Sequence, residues 1–292
     1  VWQKPQKQRG NNPRKHLIKV LTYRQIDNKK YRYTEQEIKA MPYVKRTTVA
    51  GKTVEVEYYY TSQYNKKGCS RSEKVKATPE QQKKVNTRQA ERKLRILMNA
   101  NFGMGDYHVV LDYIRHKGEP DRTKEEMKKD IQVFLRECRK LYREAGIELK
   151  YIHVMEIGSK GARHHHLVMN KIDTEILQKA WYKAYAGHNR VKVFPLDDSG
   201  NYAKLAAYFI KYSDKHLKDG DSGKLQGKRW AASKNLTRPE PVYEIVTQRA
   251  WFRCEAKAKE GYYVDKDSIA KGTADPDYYG YGWFRYTMIK LE

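Results

Sequence analysis

The sequence predicts an α+β protein: a central antiparallel sheet of about five strands with flanking helices, a basic N-terminal extension and an irregular C-terminal region. Three observations carry that expectation. From residue 107 to about 217, β-prone runs and amphipathic helical stretches follow one another as β-α-β-β-α-β-α, an order that packs helices on an antiparallel or mixed sheet. Positive charge is crowded at the front: residues 1–100 hold 25 basic and 8 acidic side chains, the remainder 35 and 27. Beyond about residue 219 the chain is rich in Gly, Tyr and Trp and reads as irregular. The expected divisions are 1–78, 79–240 and 241–292, with no internal repeat.

The first 50 residues carry a net charge of +10 with little apolar patterning, so they are expected to be extended or partly disordered. A hairpin is predicted for Thr47–Val49 and Thr53–Tyr60 about Ala50-Gly51-Lys52. The Tyr58-Tyr59-Tyr60 run reads equally as an edge strand or as a stacking surface. Gly51-Lys52-Thr53 fails as a phosphate loop because the earlier glycine such a loop requires is Arg46, so no ATP-driven motor is visible. Thr78-Pro79-Glu80 supplies an N-cap, a proline at the first helical position and an acid in the first turn, opening a helix to about Met98. Asn99–Gly105 breaks it, and Tyr107–Tyr113 follows as a strand. The clearest helix spans about Thr123–Ala145: Met127, Ile131, Phe134, Cys138, Leu141 and Ala145 form one stripe, and Gly146 ends it. Strands at Leu149–Ile157 and Arg163–Asn170 flank a turn at Gly158–Ala162. A helix at Asp173–Ala184, a strand at Arg190–Leu196 and a helix at Tyr202–Leu217 complete the unit.

Over 292 residues, 60 Lys and Arg against 35 Asp and Glu give a formal charge of +25. A surplus of that size calls for an anionic partner, since basic side chains release counterions when they neutralise phosphates. Tyrosine dominates the aromatic residues, 24 of them against 6 Phe and 5 Trp, and tyrosine both stacks on bases and hydrogen-bonds. Nucleic acid is the expected partner. No membrane contact is expected, because no run approaches the ~20 apolar residues of a span, and Val1-Trp2-Gln3-Lys4 does not begin a signal peptide. Cys69, Cys138 and Cys254 are scattered and odd in number, which argues against a disulfide framework or a cysteine-based zinc site and points to a reducing cytosol.

Four of the nine histidines lie between residues 153 and 166. On a strand His164 and His166 share a face, while His165 points the other way with Leu167. Two imidazoles so placed can chelate one cation, and Glu156, across a short turn, is the candidate third ligand. A Glu/His/His set leaves coordination positions open for substrate oxygens, and with phosphate as substrate the expected ion is Mg²⁺ or Mn²⁺. The plainer reading is a set of solvated or hydrogen-bonded histidines. On the last helix Leu205, Ala206, Phe209 and Ile210 form the buried side, and Lys204, Tyr208, Lys211 and Lys215 a second stripe, with Tyr212 one turn beyond Tyr208. A tyrosine inside a column of lysines is not explained by burial. A phenol near ammonium groups favours its phenolate form and meets phosphate readily. The alternative is a snorkelling lysine face. Together the two motifs suggest a tyrosine oxygen attacking a metal-polarised DNA phosphate and releasing a free 3′-hydroxyl.

These segments resemble the HUH endonucleases, and in particular the rolling-circle replication initiators of plasmids and bacterial viruses. The histidine motif stands as His164-His165-His166-Leu167-Val168-Met169, with His165 where the family usually has a bulky apolar residue. The tyrosine motif stands as Tyr208-Phe209-Ile210-Lys211-Tyr212. Gly161-Ala162-Arg163, Glu156 and Arg229–Leu236 are similar to segments around those motifs, and Val109-Val110-Leu111-Asp112-Tyr113 matches the family's first motif loosely.

The resemblance covers about residues 100–240 and implies a ferredoxin-like palm bearing metal ligands with the tyrosine helix packed on it. It implies Tyr208 as nucleophile, Lys211 as support for the phosphate or metal site, and His164, His166 and Glu156 as metal ligands, with Tyr212 as a candidate second nucleophile. It further implies a sequence-specific nickase and strand transferase in the cytoplasm of a bacterial host, acting on single-stranded or hairpin origin DNA through a 5′-phosphotyrosine. On this reading residues 1–78 contact DNA, 79–240 are catalytic, and a host helicase and polymerase complete the process. Three alternatives stay open: a relaxase or transposase with the same chemistry, a non-catalytic nucleic-acid-binding protein, and a metal hydrolase without a covalent intermediate.

Overall fold

The computed structural model describes residues 23–26, 29–32, 43–60, 78–114, 121–158, 161–187, 189–215, 229–246, 253–272 and 283–291. In chain order the strands are β1 (Tyr23–Ile26), β2 (Lys29–Arg32), β3 (Tyr43–Ala50), β4 (Thr53–Tyr60), β5 (Tyr107–Tyr113), β6 (Tyr151–Ile157), β7 (Arg163–Met169), β8 (Asn189–Pro195), β9 (Ala231–Ala232), β10 (Val242–Val246), β11 (Tyr262–Gly272) and β12 (Trp283–Lys290). The helices are α1 (Pro79–Asn101), α2 (Lys124–Glu144), α3 (Thr174–Ala184) and α4 (Ala203–Lys215). The chain divides into two compact units, one of residues 1–48, 55–77 and 241–288, the other of 49–54, 78–240 and 289–292.

The first unit contains a sheet ordered β10-β3-β4-β12-β11, and β1 pairs with β2 apart from it. Here the structure corrects the expectation of an irregular C-terminal region. Residues 242–246 run antiparallel to β3, from Val242 opposite Thr47 to Val246 opposite Tyr43, and β12 adds to β4. These strands escaped the sequence reading because pairing needs only main-chain donors and acceptors, whereas β11 is partly or fully exposed along its length and shows no apolar alternation. The expectation of an extended or disordered start falls outside the described residues, except for the β1–β2 pair.

In the second unit the sheet order is β8-β5-β7-β6-β9, every pairing antiparallel, as predicted. Helices α2 and α3 cover one face, where Val109, Leu111, Met155 and Leu167 pack with Phe134, Cys138 and Trp181. Helices α1 and α4 cover the other, where Ile152, Val154 and Val168 pack with Leu94, Met98, Phe209 and Ile210. The N-terminus of α2 carries a capping box: Thr123 Oγ1 accepts from the Glu126 amide at 3.3 Å, and Glu126 Oε2 accepts from the Thr123 amide at 2.8 Å. The far end of its stripe differs from the prediction. Tyr142 is buried and Ala145 exposed, because the helix stops at Glu144 and the chain turns at Gly146 with φ +71°.

The turn between β3 and β4 belongs to this second unit and fixes where α4 begins. Gly51 has φ +56°, and a Cβ there would overlap the Asn99 carbonyl oxygen. Asn99, buried, donates from Nδ2 to Thr53 Oγ1 at 3.1 Å and accepts at Oδ1 from the Tyr202 amide at 2.9 Å. One amide side chain therefore ties the turn, the end of α1 and the start of α4 together. Gly51→Ala should lower stability by about 2 kcal/mol or more, through left-handed strain plus the clash, read as a lower midpoint in urea unfolding. No helix among the described residues is long and apolar enough to cross a membrane.

Candidate active site

β7 is the middle strand of its sheet, so its side chains alternate between two helix-covered faces. His164 and His166 face α4, and His165 faces α2 and α3, as the alternation predicted. Glu156 lies directly across from His164 on β6, and Asp112 directly across on β5, so the three form one row over three strands. Glu156 Oε2 is 2.6 Å from His166 Nε2, and Asp112 Oδ1 is 2.8 Å from His164 Nδ1. Glu156 and His166 are both buried, whereas His164 is half-buried.

Helix α4 brings the tyrosine to this face. Ala206, Phe209 and Ile210 are buried against the sheet, which turns Lys204, Tyr208 and Lys211 outward. Tyr208 is 37% exposed, yet its ring stands edge-on to His166 with centroids 5.4 Å apart and lies 6.2 Å from His108. Thus Tyr208, Glu156, His164 and His166 share one face of the sheet. Tyr212 follows one turn later on the helical backbone, and its side chain lies outside the described residues, as does that of Lys215.

Sequence reasoning missed two side chains on β5. Asp112 is 2% exposed and holds three cationic or polar partners: His164, Arg190 with its NH2 at 2.9 Å, and Lys192 with Nζ at 2.7 Å. Burial pushes its carboxyl up, but hydrogen bonds from His164, Lys192 and Arg190 outweigh that and hold it well below the usual carboxylate range. His108 Nε2 lies 3.3 Å from His166 Nδ1, with the rings stacked. Burial, and then His166, push the His108 imidazole down to about 4, so it is neutral near pH 7. The alternation placed His108 and Asp112 on one face of β5; the pairing of β5 with β7, which the sequence does not encode locally, decides that this face is the site.

A second polar chain runs behind the sheet. His153 Nε2 meets His165 Nδ1 at 3.0 Å, His165 Nε2 meets Tyr113 Oη at 2.9 Å, and Tyr113 Oη donates to Asp130 Oδ2 at 3.0 Å. Arg122 grips Asp130 with Nε at 3.1 Å and NH2 at 2.9 Å. The carboxylate can only accept, so it sets the direction of every bond before it: His153 donates to His165, which donates to Tyr113. Both imidazoles must then be neutral. Burial pushes His153 down to about 3, and His165, fully buried, well below its ordinary value. The unfolded chain takes up protons near pH 6.5 that the folded chain refuses, so stability falls as pH drops below about 6.5, by roughly 1.4 kcal/mol per pH unit for each histidine. Urea unfolding at pH 7, 6 and 5 should show this, and His153→Phe should reduce the slope by about one proton.

As the side chains stand, no three His, Cys, Asp or Glu among the described residues are gathered to hold a metal: Glu156 closes on His166, and Asp112 on His164. The chemistry of the donor set nevertheless suits a divalent cation. Two imidazoles and one carboxylate stand on adjacent strands of one face, and a neighbour on β5 engages Nδ1 of each ring.

A three-layer arrangement in which the middle strand presents two histidines to a tyrosine-bearing helix defines a nucleic-acid-processing enzyme of the HUH type. Residues 106–217 match a family model of replication-associated proteins of the ORF2 type, and over this segment the chain belongs to the HUH-type rolling-circle Rep superfamily. The matched segment begins one residue before β5 and ends two residues after α4, so it contains both motifs. No curated protein and no solved structure matches the chain.

Proposed function

We propose that this protein is a sequence-specific single-strand DNA endonuclease and strand transferase that nicks a replication origin through a 5′-phosphotyrosine and so initiates rolling-circle replication. The observation that carries the reading is the approach of the Tyr208 ring to His166, at 5.4 Å between centroids, on the face that also bears Glu156 and His164. Tyr208 is the nucleophile in this reading. As its Oη–P bond forms, the P–O3′ bond breaks; the phenolic proton is lost and the 3′ oxygen gains one, leaving a free 3′-hydroxyl. Glu156, His164 and His166 would hold Mg²⁺ or Mn²⁺, whose contribution is to neutralise charge on the scissile phosphate. Lys211, exposed on the same helix, supports the phosphate, and Tyr212 is placed in sequence for the closing transfer.

The covalent link conserves the phosphodiester energy, so rejoining needs no ATP. The basic residues of 1–78 hold DNA around the origin, and a host helicase and polymerase supply strand separation and synthesis. The test is incubation with tiled single-stranded segments of the cognate replicon, with Mg²⁺, Mn²⁺ or EDTA, followed by denaturing electrophoresis. The expected product is a metal-dependent protein–DNA adduct on one segment. Metal-independent binding to every segment, with neither nick nor adduct, would sink the reading.

A further inference from the structure

Metal-binding histidines need one nitrogen free and the other engaged, because the second hydrogen bond fixes both the tautomer and the plane of the ring. Both histidines of β7 find that second partner on one strand. His164 Nδ1 meets Asp112 Oδ1 at 2.8 Å, and His166 Nδ1 meets His108 Nε2 at 3.3 Å. Positions 108 and 112 share the site face of β5, and the register sets Asp112 across from His164 and Val110 across from His166. His108 therefore reaches His166 diagonally, from opposite Val168. Both partners are themselves anchored. Asp112 accepts from Arg190 Nε at 3.0 Å and pairs with Lys192 Nζ at 2.7 Å. The His108 ring is held between Phe194 and Phe209, with centroids 5.7 and 5.5 Å away.

We propose that β5 is the positioning strand of the site, Asp112 holding His164 and His108 holding His166, each through Nδ1, so that both rings present Nε2 to a divalent cation. This deepens the reading of His164 and His166 as cation ligands and rests on it. The two partners do different work. A carboxylate can only accept, so Asp112 pins His164 with its proton on Nδ1. A neutral imidazole can donate or accept at Nε2, so His108 can satisfy His166 in either tautomer. In the metal-free protein His166 Nε2 faces Glu156 Oε2 at 2.6 Å and donates to it, with Nδ1 accepting from His108. When a cation takes Nε2, the proton must sit on Nδ1, and His108 becomes the acceptor.

The full-length protein in the Tyr208→Phe background, titrated calorimetrically with Mn²⁺ without DNA, tests the proposal. His108→Phe keeps the ring and its packing but removes the nitrogen, and affinity should fall by about 10–100-fold. His108→Gln places an amide able to donate or accept near the same point and should stay within a few-fold of the parent. A role in packing alone predicts the reverse ranking, and that ranking would overturn the proposal. Nitrogen-15 histidine spectra of the metal-free protein give an independent arm. The parent should show His164 as the Nδ1–H tautomer, Asp112→Asn a mixture, and His108→Phe a changed His166 pattern. If the parent binds no Mn²⁺, the ligand reading fails, and the spectra alone decide whether β5 orients the rings. If neither variant alters the spectra, β5 is no positioning strand whatever the metal does.

Discussion

Tyr208→Phe is expected to abolish formation of the covalent protein–DNA adduct while leaving the fold and DNA binding intact. The substitution removes one oxygen. The ring keeps its contacts with His166 and Phe209, at 5.4 and 6.3 Å between centroids, and at 37% exposure it contributes little to the core. No neighbouring group on the described face of α4 can replace a lost nucleophile, since Lys204 and Lys211 form no phosphotyrosine. Loss of an attacking group typically costs on the order of 10⁴-fold or more in rate. The measurement is single-turnover adduct formation on a single-stranded origin oligonucleotide, with fluorescence anisotropy reporting binding separately. Residual adduct at a reduced rate would come from Tyr212, one turn away, so the Tyr208→Phe, Tyr212→Phe double variant should form none. Adduct at the parental rate in that double variant would remove tyrosine from the chemistry altogether.

The second large effect is on stability. Asp130→Ala should destabilise the second unit by about 3–5 kcal/mol, because removing one member of a buried charged cluster strands the others. Asp130 is 5% exposed and satisfies the Tyr113 hydroxyl and two nitrogens of Arg122 at once. Without it the guanidinium keeps only Glu126, at 2.9 Å, and the Tyr113 hydroxyl loses its acceptor. Arg122 is partly exposed and can turn to water, which places the expected loss toward the lower end of the range. Urea denaturation at pH 7 measures it. A change below about 1 kcal/mol would mean that the chain of bonds behind the sheet is dispensable. Asp130→Asn, which keeps an acceptor, should cost less.

Much of the catalytic unit could be read in advance because its signals are local. Tyr107–Tyr113 was bounded to the residue by its apolar run, and Phe209 with Ile210 marked the buried side of α4 through their spacing. The strand period sorted His164 and His166 from His165, and the short turn placed Glu156 opposite His164. What stayed hidden depends on which strands lie side by side. Asp112 and His108 are ordinary strand residues until β5 pairs with β7. His153 and His165 are an unusual pair of buried imidazoles until Tyr113 and Asp130 arrive from β5 and α2. Strands β10 to β12 were unreadable for the same reason: their order in the sheet follows from long-range pairing with β3 and β4, and exposed side chains along β10 and β11 leave little alternation to detect.

The one-way run of donors from His153 through His165 and Tyr113 to Asp130 limits how this domain can drift. An aliphatic residue at 165 alone would orphan the donor on His153 and the acceptor lone pair on Tyr113, whereas replacing 153 and 165 together with apolar residues of matching volume discards donor and acceptor at one stroke. Close relatives should thus carry either both imidazoles or neither, making the middle letter of the histidine triplet a marker of lineage, inherited as a package with a residue twelve positions upstream.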